Sequence, residues 1–218
     1  MSTWHSSDVS ATNCPRSGSG IVGECVSITQ SAVISSLERV VSCLELRDAH
    51  TKGHSDRVKD LAVAMARRTL RNFAILPVLA LSARLHDIGK TRISGDILKR
   101  PGPLTDKEWA EVRRHPLVGA DMLSSVLCLD AVVEGVRHHH ERYDGKGYPH
   151  GLAGRDIPLV ARIIAVADSY DAMTSDRPYR RALRPLEAAG EVLRNAGDQF
   201  DPDWAEALFH IIVNSQAS

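Results

Sequence analysis

Apolar residues recur at helical spacing along most of the chain. After Thr29 and again after Ser55 they return every three or four positions, which is the period of an amphipathic helix. These positions are Val33, Ile34, Leu37, Val40, Val41 and Leu44 in the first segment, and Val58, Leu61, Ala62 and Met65 in the second. No segment shows the convincing apolar and polar alternation of a half-buried strand. The pattern therefore predicts an all-α fold, with about seven to nine helices around one core.

Start and stop signals divide the chain into these helices. Pro77 is expected to open a helix that Gly89 closes, and Thr105 followed by Glu108 fits a capping box. Later helix starts are expected at Pro116, Asp130, Pro158, Pro185 and Asp201-Pro202. The glycine-rich stretch 144–154 is expected to form a loop, because glycines interrupt regular structure.

Chain length and composition predict one globular domain. The chain has 218 residues, of which 43% are hydrophobic and 25% charged, and this is enough to bury a sizeable core. Residues 1–28 are rich in Ser, Thr and Gly and predict a flexible leader, so the helical domain is expected over 29–218. Lys plus Arg equals Asp plus Glu at 27 each, which argues against binding to a nucleic-acid polymer.

The sequence shows neither a signal peptide nor an apolar run of the roughly 20 residues that cross a bilayer. A cytoplasmic protein that does not enter membranes is therefore expected. The four cysteines are Cys14, Cys25, Cys43 and Cys128. Because none has C-x-x-C spacing, neither a zinc knuckle nor a disulfide framework is expected.

Histidines and aspartates occur along the chain in an order that predicts a metal centre. The residues are His54, His86-Asp87, His115, His139-His140 and Asp168. Imidazole and carboxylate bind hard to borderline divalent metals, and their occurrence in pairs favours a site with more than one ion. Adjacent helical side chains diverge by about 100°, so His86 and Asp87 can bind different ions, or Asp87 can bridge two. Lys90 follows closely and would bring a cation near metal-bound phosphate.

Each of these residues also has a simpler structural interpretation. Of the three consecutive histidines 138–140, at most two can face one point, which leaves the third free to be exposed. His115 before Pro116 also fits a polar helix cap. Asp168 lies in an apolar helix, where a carboxylate needs a compensating cation or hydrogen-bond donors. Asp171, one turn later, can orient a metal ligand or form a salt bridge with Arg177 or Arg180.

Taken together, these motifs resemble the HD-GYP subgroup of the HD superfamily of phosphohydrolases, which cleave cyclic di-GMP. Residues 86–90 are similar to the HD motif, and residues 139–149 to the HHE and GYP signature of that subgroup. The resemblance extends over about residues 30–214. Further matching segments are Thr51 to Val58, Pro101 to Thr105, His115-Pro116, Ala167 to Tyr179 and Phe200-Asp201-Pro202.

The resemblance implies a ligand set, a substrate and partners. The implied metal ligands are His54, His86, Asp87, His115, His139, His140 and Asp168, with Asp87 bridging two divalent ions, iron or manganese by preference. Lys90, Arg177 and Arg180 would contact phosphate, and Asp87 and Lys90 would be the catalytic residues. The expected reaction is hydrolysis of cyclic di-GMP to pGpG, with GMP as a further product.

In such proteins the loop with Gly147, Tyr148 and Pro149 shapes the site and is a candidate contact surface for diguanylate cyclases, the GGDEF proteins. Gly147 and Pro149 suit a backbone turn and Tyr148 supplies an aromatic surface, so a purely structural loop is the alternative. A homodimer is a further expectation.

The chain departs from the resemblance at two positions. His50 stands where some relatives with a third metal have Glu, and because imidazole also binds metals, a third ion is a second possibility beside two. Ile93 is followed by Ser94 and Gly95, where relatives often have Ile-Pro, which predicts a looser loop after Lys90. The alternative functions are an inactive cyclic di-GMP receptor or interaction module, and an HD-type hydrolase of another nucleotide phosphate.

Overall fold

The computed structural model describes residues 28–47, 52–100, 102–176 and 181–216, and the regular secondary structure of these residues consists of helices, with no strand. The α-helices are α1 (Ile28–Arg47), α2 (His54–Thr69), α3 (Leu76–Leu85), α4 (Gly95–Leu98), α5 (Asp106–Val112), α6 (His115–Ser124), α7 (Asp130–His138), α8 (Leu159–Thr174), α9 (Pro185–Arg194) and α10 (Pro202–Gln216). Two 3-10 helices, Ile88–Arg92 and Gly154–Asp156, complete the described elements. The predicted all-α fold is confirmed, and nine of these α-helices have seven or more residues.

Most of the predicted helix starts are confirmed. Thr105 and Glu108 form the complete capping box of α5, in which each side chain accepts a hydrogen bond from the other residue's backbone N–H. Prolines occupy the first turn of α3, α6 and α9, where their missing N–H costs no hydrogen bond. The expectation that Gly89 closes the helix begun near Pro77 is wrong. That helix ends at Leu85, and Gly89 lies inside the following 3-10 helix.

Two hydrophobic clusters form the core, and α3 contributes to both. The larger cluster is built from α2, α3, α8, α9 and α10 and includes the buried Trp204. The smaller one is built from α1, α3, α6 and α7 together with Ile88. Leu79 of α3 lies in the first cluster and Leu85 in the second. The end of α3 is therefore fixed between two packed layers, and the His86-Asp87 pair follows directly after it.

Gly89 allows the 3-10 helix to approach α6 closely. A Cβ atom at this position would lie 2.0 Å from the carbonyl oxygen of His115 and 2.6 Å from the backbone nitrogen of Gly119. Both neighbours are backbone atoms, so they cannot move aside as a flexible side chain would. The missing side chain of Gly89 is thus what brings Asp87 next to His115.

The segment after Lys90 contains a helix N-cap, and the expectation that Ile93-Ser94-Gly95 makes it looser than in relatives stays a prediction. Ser94 is the N-cap of α4, and its side chain accepts a hydrogen bond from the backbone N–H of Asp96. Ile93 is buried. The segment is therefore held by the burial of Ile93 and by the hydrogen bond of the Ser94 cap.

The predicted loop 144–154 lies between α7 and α8 and is held by polar contacts. Asp144 and Ala153 form an isolated antiparallel bridge across it. Arg142 donates to both carboxylate oxygens of Asp144, through Nε at 3.0 Å and Nη2 at 2.7 Å. A Cβ atom at Gly147 would lie 2.3 Å from the backbone nitrogen of Arg142, so this glycine permits a close backbone approach. The Tyr148–Pro149 peptide bond is cis.

None of the described helices is both long and apolar enough to cross a membrane. The leader predicted for residues 1–28 falls almost wholly outside the described residues, which begin at Ile28. The division of the chain into a leader and a domain over 29–218 therefore stays a prediction.

Replacing Gly89 with Ala is expected to destabilise the protein by about 1–3 kcal/mol, because the added methyl group collides with backbone atoms of α6. Gly102→Ala is the matched control, since a Cβ at Gly102 meets nothing within 4 Å. Urea unfolding of both variants and the unchanged protein measures the difference. Equal free energies of unfolding for the two variants would contradict the close-approach argument.

Candidate metal centre

The ends and faces of five α-helices bring the seven predicted ligands into one buried cluster. His54 begins α2 and His115 begins α6, while His86 follows α3 and His139 follows α7. Asp168 lies within α8, and Asp87 and His140 directly follow His86 and His139. Residues separated by more than one hundred positions in the sequence therefore meet in one place.

One half of the cluster contains His54, His86 and Asp168. The Nε2 atom of His54 lies 3.3 Å from Oδ1 of Asp168, and Nε2 of His86 lies 3.9 Å from the same oxygen. The imidazole rings of His54 and His86 meet edge to face with their centroids 5.3 Å apart. His86 is fully buried and His54 nearly so.

The other half contains His115, His139 and His140. The Nε2 atoms of His115 and His139 lie 3.2 Å apart. The ring centroid of His140 lies 5.0 Å from that of His115 and 4.1 Å from that of His139. One ligand atom from each of these three histidines lies within 4.8 Å of the other two, a spacing that can hold a metal ion.

The Asp87 carboxylate lies between the two halves. Its Oδ2 atom is 3.4 Å from Nε2 of His86 and 3.9 Å from Nε2 of His54. Its Oδ1 atom is 3.2 Å from Nε2 of His115. Each oxygen therefore faces a different group of imidazoles, as a carboxylate that bridges two cations must.

Hydrogen bonds to Nδ1 fix the orientation of the imidazole rings. The Nδ1 atoms of His86, His115 and His139 lie 2.8, 2.8 and 2.6 Å from backbone carbonyl oxygens three residues earlier, at Ala83, Val112 and Val136. Because a carbonyl only accepts, each Nδ1 carries the proton and donates it. In the neutral ring, Nε2 then carries a lone pair directed into the cluster. This is the arrangement that metal-binding histidines require.

The Nε2 lone pairs of His86 and His115 therefore point toward the Asp87 carboxylate. The Nε2 atom of His86 and the Oδ1 atom of Asp87 are buried and have no hydrogen-bond partner. Buried acceptors without a donor are costly, and a cation placed among them removes that cost. Nitrogen and carboxylate oxygen donors in this mixture suit a divalent transition metal. The residues thus fit the metal centre that the sequence predicts.

The electrostatic environment differs between the two halves. Burial lowers the pKa of His54, but hydrogen bonds to the carboxylates of Asp168 and Asp171 outweigh it and raise that pKa to about 10. In the other half, burial and the neighbouring His115 lower the pKa of His140 to about 3. The acidic half attracts positive charge, and in the other half the imidazole of His140 stays neutral and able to act as a ligand.

Lys90 and Asp87 form a close ion pair. The Lys90 Nζ atom donates to Oδ2 of Asp87 at 2.6 Å. Burial raises the pKa of Asp87, but the neighbouring Lys90 ammonium group holds it well below its usual range. Asp87 is therefore ionised, and Lys90 contacts it from the edge of the cluster.

Asp171 orients His54, as one of its two predicted roles requires. Its Oδ2 atom accepts a hydrogen bond from Nδ1 of His54 at 2.7 Å. Its salt-bridge partner is Arg57, whose Nε and Nη2 atoms donate to the two carboxylate oxygens at 2.6 and 3.0 Å. The pairing of Asp171 with Arg177 or Arg180 stays a prediction, because both arginines lie outside the described residues, and the role of Arg57 was not predicted. Arg57 lies three residues after His54 on the same helix face, which was the available signal.

Three predicted site residues, His50, Arg177 and Arg180, lie outside the described residues. Of the loop residues, Tyr148 contacts the cluster: its ring stacks on His140 with a centroid distance of 4.9 Å. Arg113, which the sequence analysis missed, places its guanidinium carbon 5.6 Å from the centroid of the Tyr148 ring. His138, which the predicted ligand set leaves out, is buried as well.

Two further buried carboxylates, Glu45 and Glu141, have structural roles that the sequence did not predict. Glu45 of α1 accepts hydrogen bonds from the backbone N–H groups of Gly53 and Ser55 and so holds the start of α2, where His54 lies. Glu141 accepts from the backbone N–H groups of His150 and Leu152 and closes the loop after His140. Neither role has a local sequence signal, because the bonded residues are eight to eleven positions apart.

Curated proteins from several bacteria are similar to this chain. A cyclic di-GMP phosphodiesterase of Pseudomonas aeruginosa is 45% identical over 160 residues, which are 73% of this chain and 38% of that protein. A cyclic di-GMP phosphodiesterase response regulator of Xanthomonas campestris is 38% identical over 176 residues, 79% of this chain and 46% of that protein. A 3'3'-cGAMP-specific phosphodiesterase of Vibrio cholerae is 36% identical over 166 residues, 76% of this chain and 36% of that protein. The chain spans less than half the length of these relatives.

The fold matches a solved structure, and the sequence matches a family model. The HDG"Y"P protein Bd1817 of Bdellovibrio bacteriovorus superposes with a TM-score of 0.64 over 84% of this chain and 63% of that one, at 19% identity. The model of the HD domain family matches residues 39–204, which include all seven clustered residues. This chain belongs to the HD domain family.

Proposed function

We propose that this chain is a metal-dependent phosphodiesterase that hydrolyses cyclic di-GMP. The observation that carries the proposal is the Asp87 carboxylate, whose two oxygens face two separate groups of imidazoles. Such a geometry suits two cations a short distance apart, and paired cations are used for in-line displacement at phosphorus. The names of the Pseudomonas and Xanthomonas relatives support the substrate.

The proposed ligands form two sets that share Asp87. His54, His86 and Asp168 would hold one divalent ion, and His115, His139 and His140 the other. Iron or manganese is favoured by the mixture of imidazole and carboxylate. A third ion through His50 is the alternative stoichiometry. When bound, these cations acidify water and neutralise charge on the phosphoryl group.

The surrounding residues would position the substrate and the ligands. Lys90 places its ammonium group at the edge of the centre and would shift from Asp87 toward a phosphate oxygen. Arg177 and Arg180 would bind phosphate as well. Asp171 holds the ring of His54 so that its Nε2 faces the centre. The products would be pGpG and, after a second cleavage, GMP.

The proposal also covers partner proteins, oligomeric state and cellular location. The loop at Gly147, Tyr148 and Pro149 would be a contact surface for GGDEF proteins, which is supported by the exposed Lys146 and His150 on the same loop. A homodimer and a cytoplasmic location complete the proposal. Binding to nucleic-acid polymers is disfavoured because the net charge is zero.

A second candidate substrate is 3'3'-cGAMP, because a Vibrio cholerae relative specific for it is 36% identical. The two dinucleotides share the phosphodiester bonds but differ in one base, so the metal centre does not distinguish between them. A receptor without activity is disfavoured, since all seven proposed ligands are present and converge.

Asp87→Ala is expected to lose metal and turnover together, because both ions would lose the ligand they share. Turnover should fall at least about a hundredfold. The measurement is metal analysis after anaerobic purification, coupled to product assays with cyclic di-GMP, 3'3'-cGAMP and mononucleotides. Asp121→Ala, at an exposed position of α6, is the control.

Two outcomes would contradict the proposal. An Asp87→Ala protein that keeps its metal and its turnover would refute the bridging role. Preference of the unchanged protein for another substrate would refute the assignment of cyclic di-GMP.

Asp171→Ala is expected to weaken metal binding by about 10- to 100-fold, since His54 loses the partner that orients its ring. Arg57→Ala should have a smaller effect in the same direction, because Asp171 remains but loses its bidentate partner. Metal dissociation constants from competition with a chelator provide the readout. Arg184→Ala removes an exposed Arg–Glu pair and serves as the control. Unchanged affinity in Asp171→Ala would show that His54 needs no such support.

Arg177→Ala is expected to raise KM for cyclic di-GMP by about ten- to a hundredfold while the metal content stays the same, because a charged hydrogen bond to phosphate is lost. Steady-state kinetics and metal analysis are performed on the same preparation. Arg194→Ala, which removes an exposed pair with Glu191, is the matched control. Metal loss in Arg177→Ala would contradict the assignment of this residue to phosphate.

A further inference from the structure

A second group of metal-binding side chains lies outside the proposed centre, at the two ends of the loop that carries Tyr148. His138 is the last residue of α7, Glu141 follows three residues later, and His150 lies beyond Pro149. One ligand atom from each of the three lies within 4.8 Å of the other two. None of these residues is among the seven ligands proposed above.

His138 presents an unsatisfied nitrogen to this group. Neighbouring side chains at a helix end diverge, so the ring of His138 points away from the centre that His139 faces. Its side chain is only 7% exposed, and its Nδ1 atom has no hydrogen-bond partner. On the opposite edge of the ring, Nε2 lies 3.4 Å from Oε2 of Glu134. A carboxylate at one nitrogen directs the lone pair of the other outward, which is the usual arrangement of a histidine that binds zinc.

Glu141 supplies a buried negative charge beside that nitrogen. Its side chain is fully buried, and its Oε1 atom lies 3.5 Å from Nδ1 of His138. Oε1 and Oε2 accept the backbone N–H groups of His150 and Leu152 at 2.8 and 3.2 Å. Each carboxylate oxygen has two lone pairs, so one remains for a metal. A buried carboxylate held by neutral amides is favoured further when a cation approaches it.

His150 opens the group to solvent. Its ring is exposed, and the ring centroid lies 5.1 Å from that of His138. The hydrogen bond from its own backbone N–H to Glu141 keeps it beside the carboxylate. Ligands of tetrahedral zinc lie roughly 3.4 Å apart, as Zn–N distances of about 2.0–2.1 Å require. Because the His150 ring is exposed, it can rotate and so shorten the distances between the ligand atoms from within 4.8 Å to the spacing that zinc requires.

We propose that His138, Glu141 and His150 form a separate zinc site that joins the two ends of the loop. Two imidazoles and one carboxylate leave a fourth position for water, which is a known ligand set for Zn²⁺. The bound ion would neutralise Glu141 and connect α7 to the residue after Pro149. Because Tyr148 stacks on His140, the ion would also fix the aromatic ring that borders the larger metal centre.

Equilibrium dialysis against Zn²⁺, followed by elemental analysis, tests this site. The full chain, with its other metals at equal content, is compared with His150→Ala and with His210→Ala, which removes an exposed histidine of α10. The unchanged protein and His210→Ala should bind one zinc more than His150→Ala does. Loss of a direct ligand should weaken that zinc by about a hundredfold or more, since even supporting residues contribute 10- to 100-fold.

Thermal unfolding gives a second readout. Zn²⁺ should raise the Tm of the unchanged protein and of His210→Ala more than that of His150→Ala, because the ion binds only the folded loop. Equal zinc stoichiometry and affinity in all three proteins would overturn the proposal. The readouts count zinc rather than hydrolysis, so failure here is distinguishable from failure of the proposed phosphodiesterase activity.

Discussion

The structure depends on a buried cluster of hydrogen-bond acceptors, imidazole nitrogens and carboxylate oxygens, which needs positive charge to be stable. The Nε2 atoms of His54, His86 and His115 face the oxygens of Asp87, and the Nδ1 atoms of His86, His115 and His139 donate to backbone carbonyls. Such an arrangement is unfavourable in an empty pocket, because acceptors without donors remain desolvated. It becomes favourable around divalent cations. Lys90 supplies part of the required charge at the edge of the cluster.

Backbone carbonyl groups at helix ends fix the orientation of three imidazole rings in this cluster. The carbonyl groups near the end of a helix have no intrahelical partner, and three of them accept the protons of His86, His115 and His139. The helix ends are held in turn by close packing, most tightly where Gly89 meets the backbone of α6. Backbone groups that a helix leaves unused thus fix the tautomers of the metal-binding rings.

The loop after α7 connects the interior of the site to the surface. Glu141 holds the loop through two backbone N–H groups, and Gly147 lets its backbone pass close to Arg142. Tyr148 is thereby placed against His140, so the aromatic residue of the GYP signature borders the metal centre. The two interpretations left open by the sequence, a structural loop and a contact surface, are compatible, because the exposed Lys146 lies on the same loop as Tyr148, whose ring stacks on His140.

The sequence alone determined the helices and the identity of the clustered residues. Helical periodicity, caps and prolines are local properties, so the all-α fold and most helix starts were predicted. The spacing of the motifs gave the seven residues that converge.

The roles of Arg57, Glu45, Glu141 and Gly89 were not predicted. Each acts on a residue that is distant in the sequence or lies on another element, and no periodic pattern encodes such a contact. The tertiary structure also decided that Asp87 lies between two groups of imidazoles, because only packing of α3 against both core clusters fixes that position.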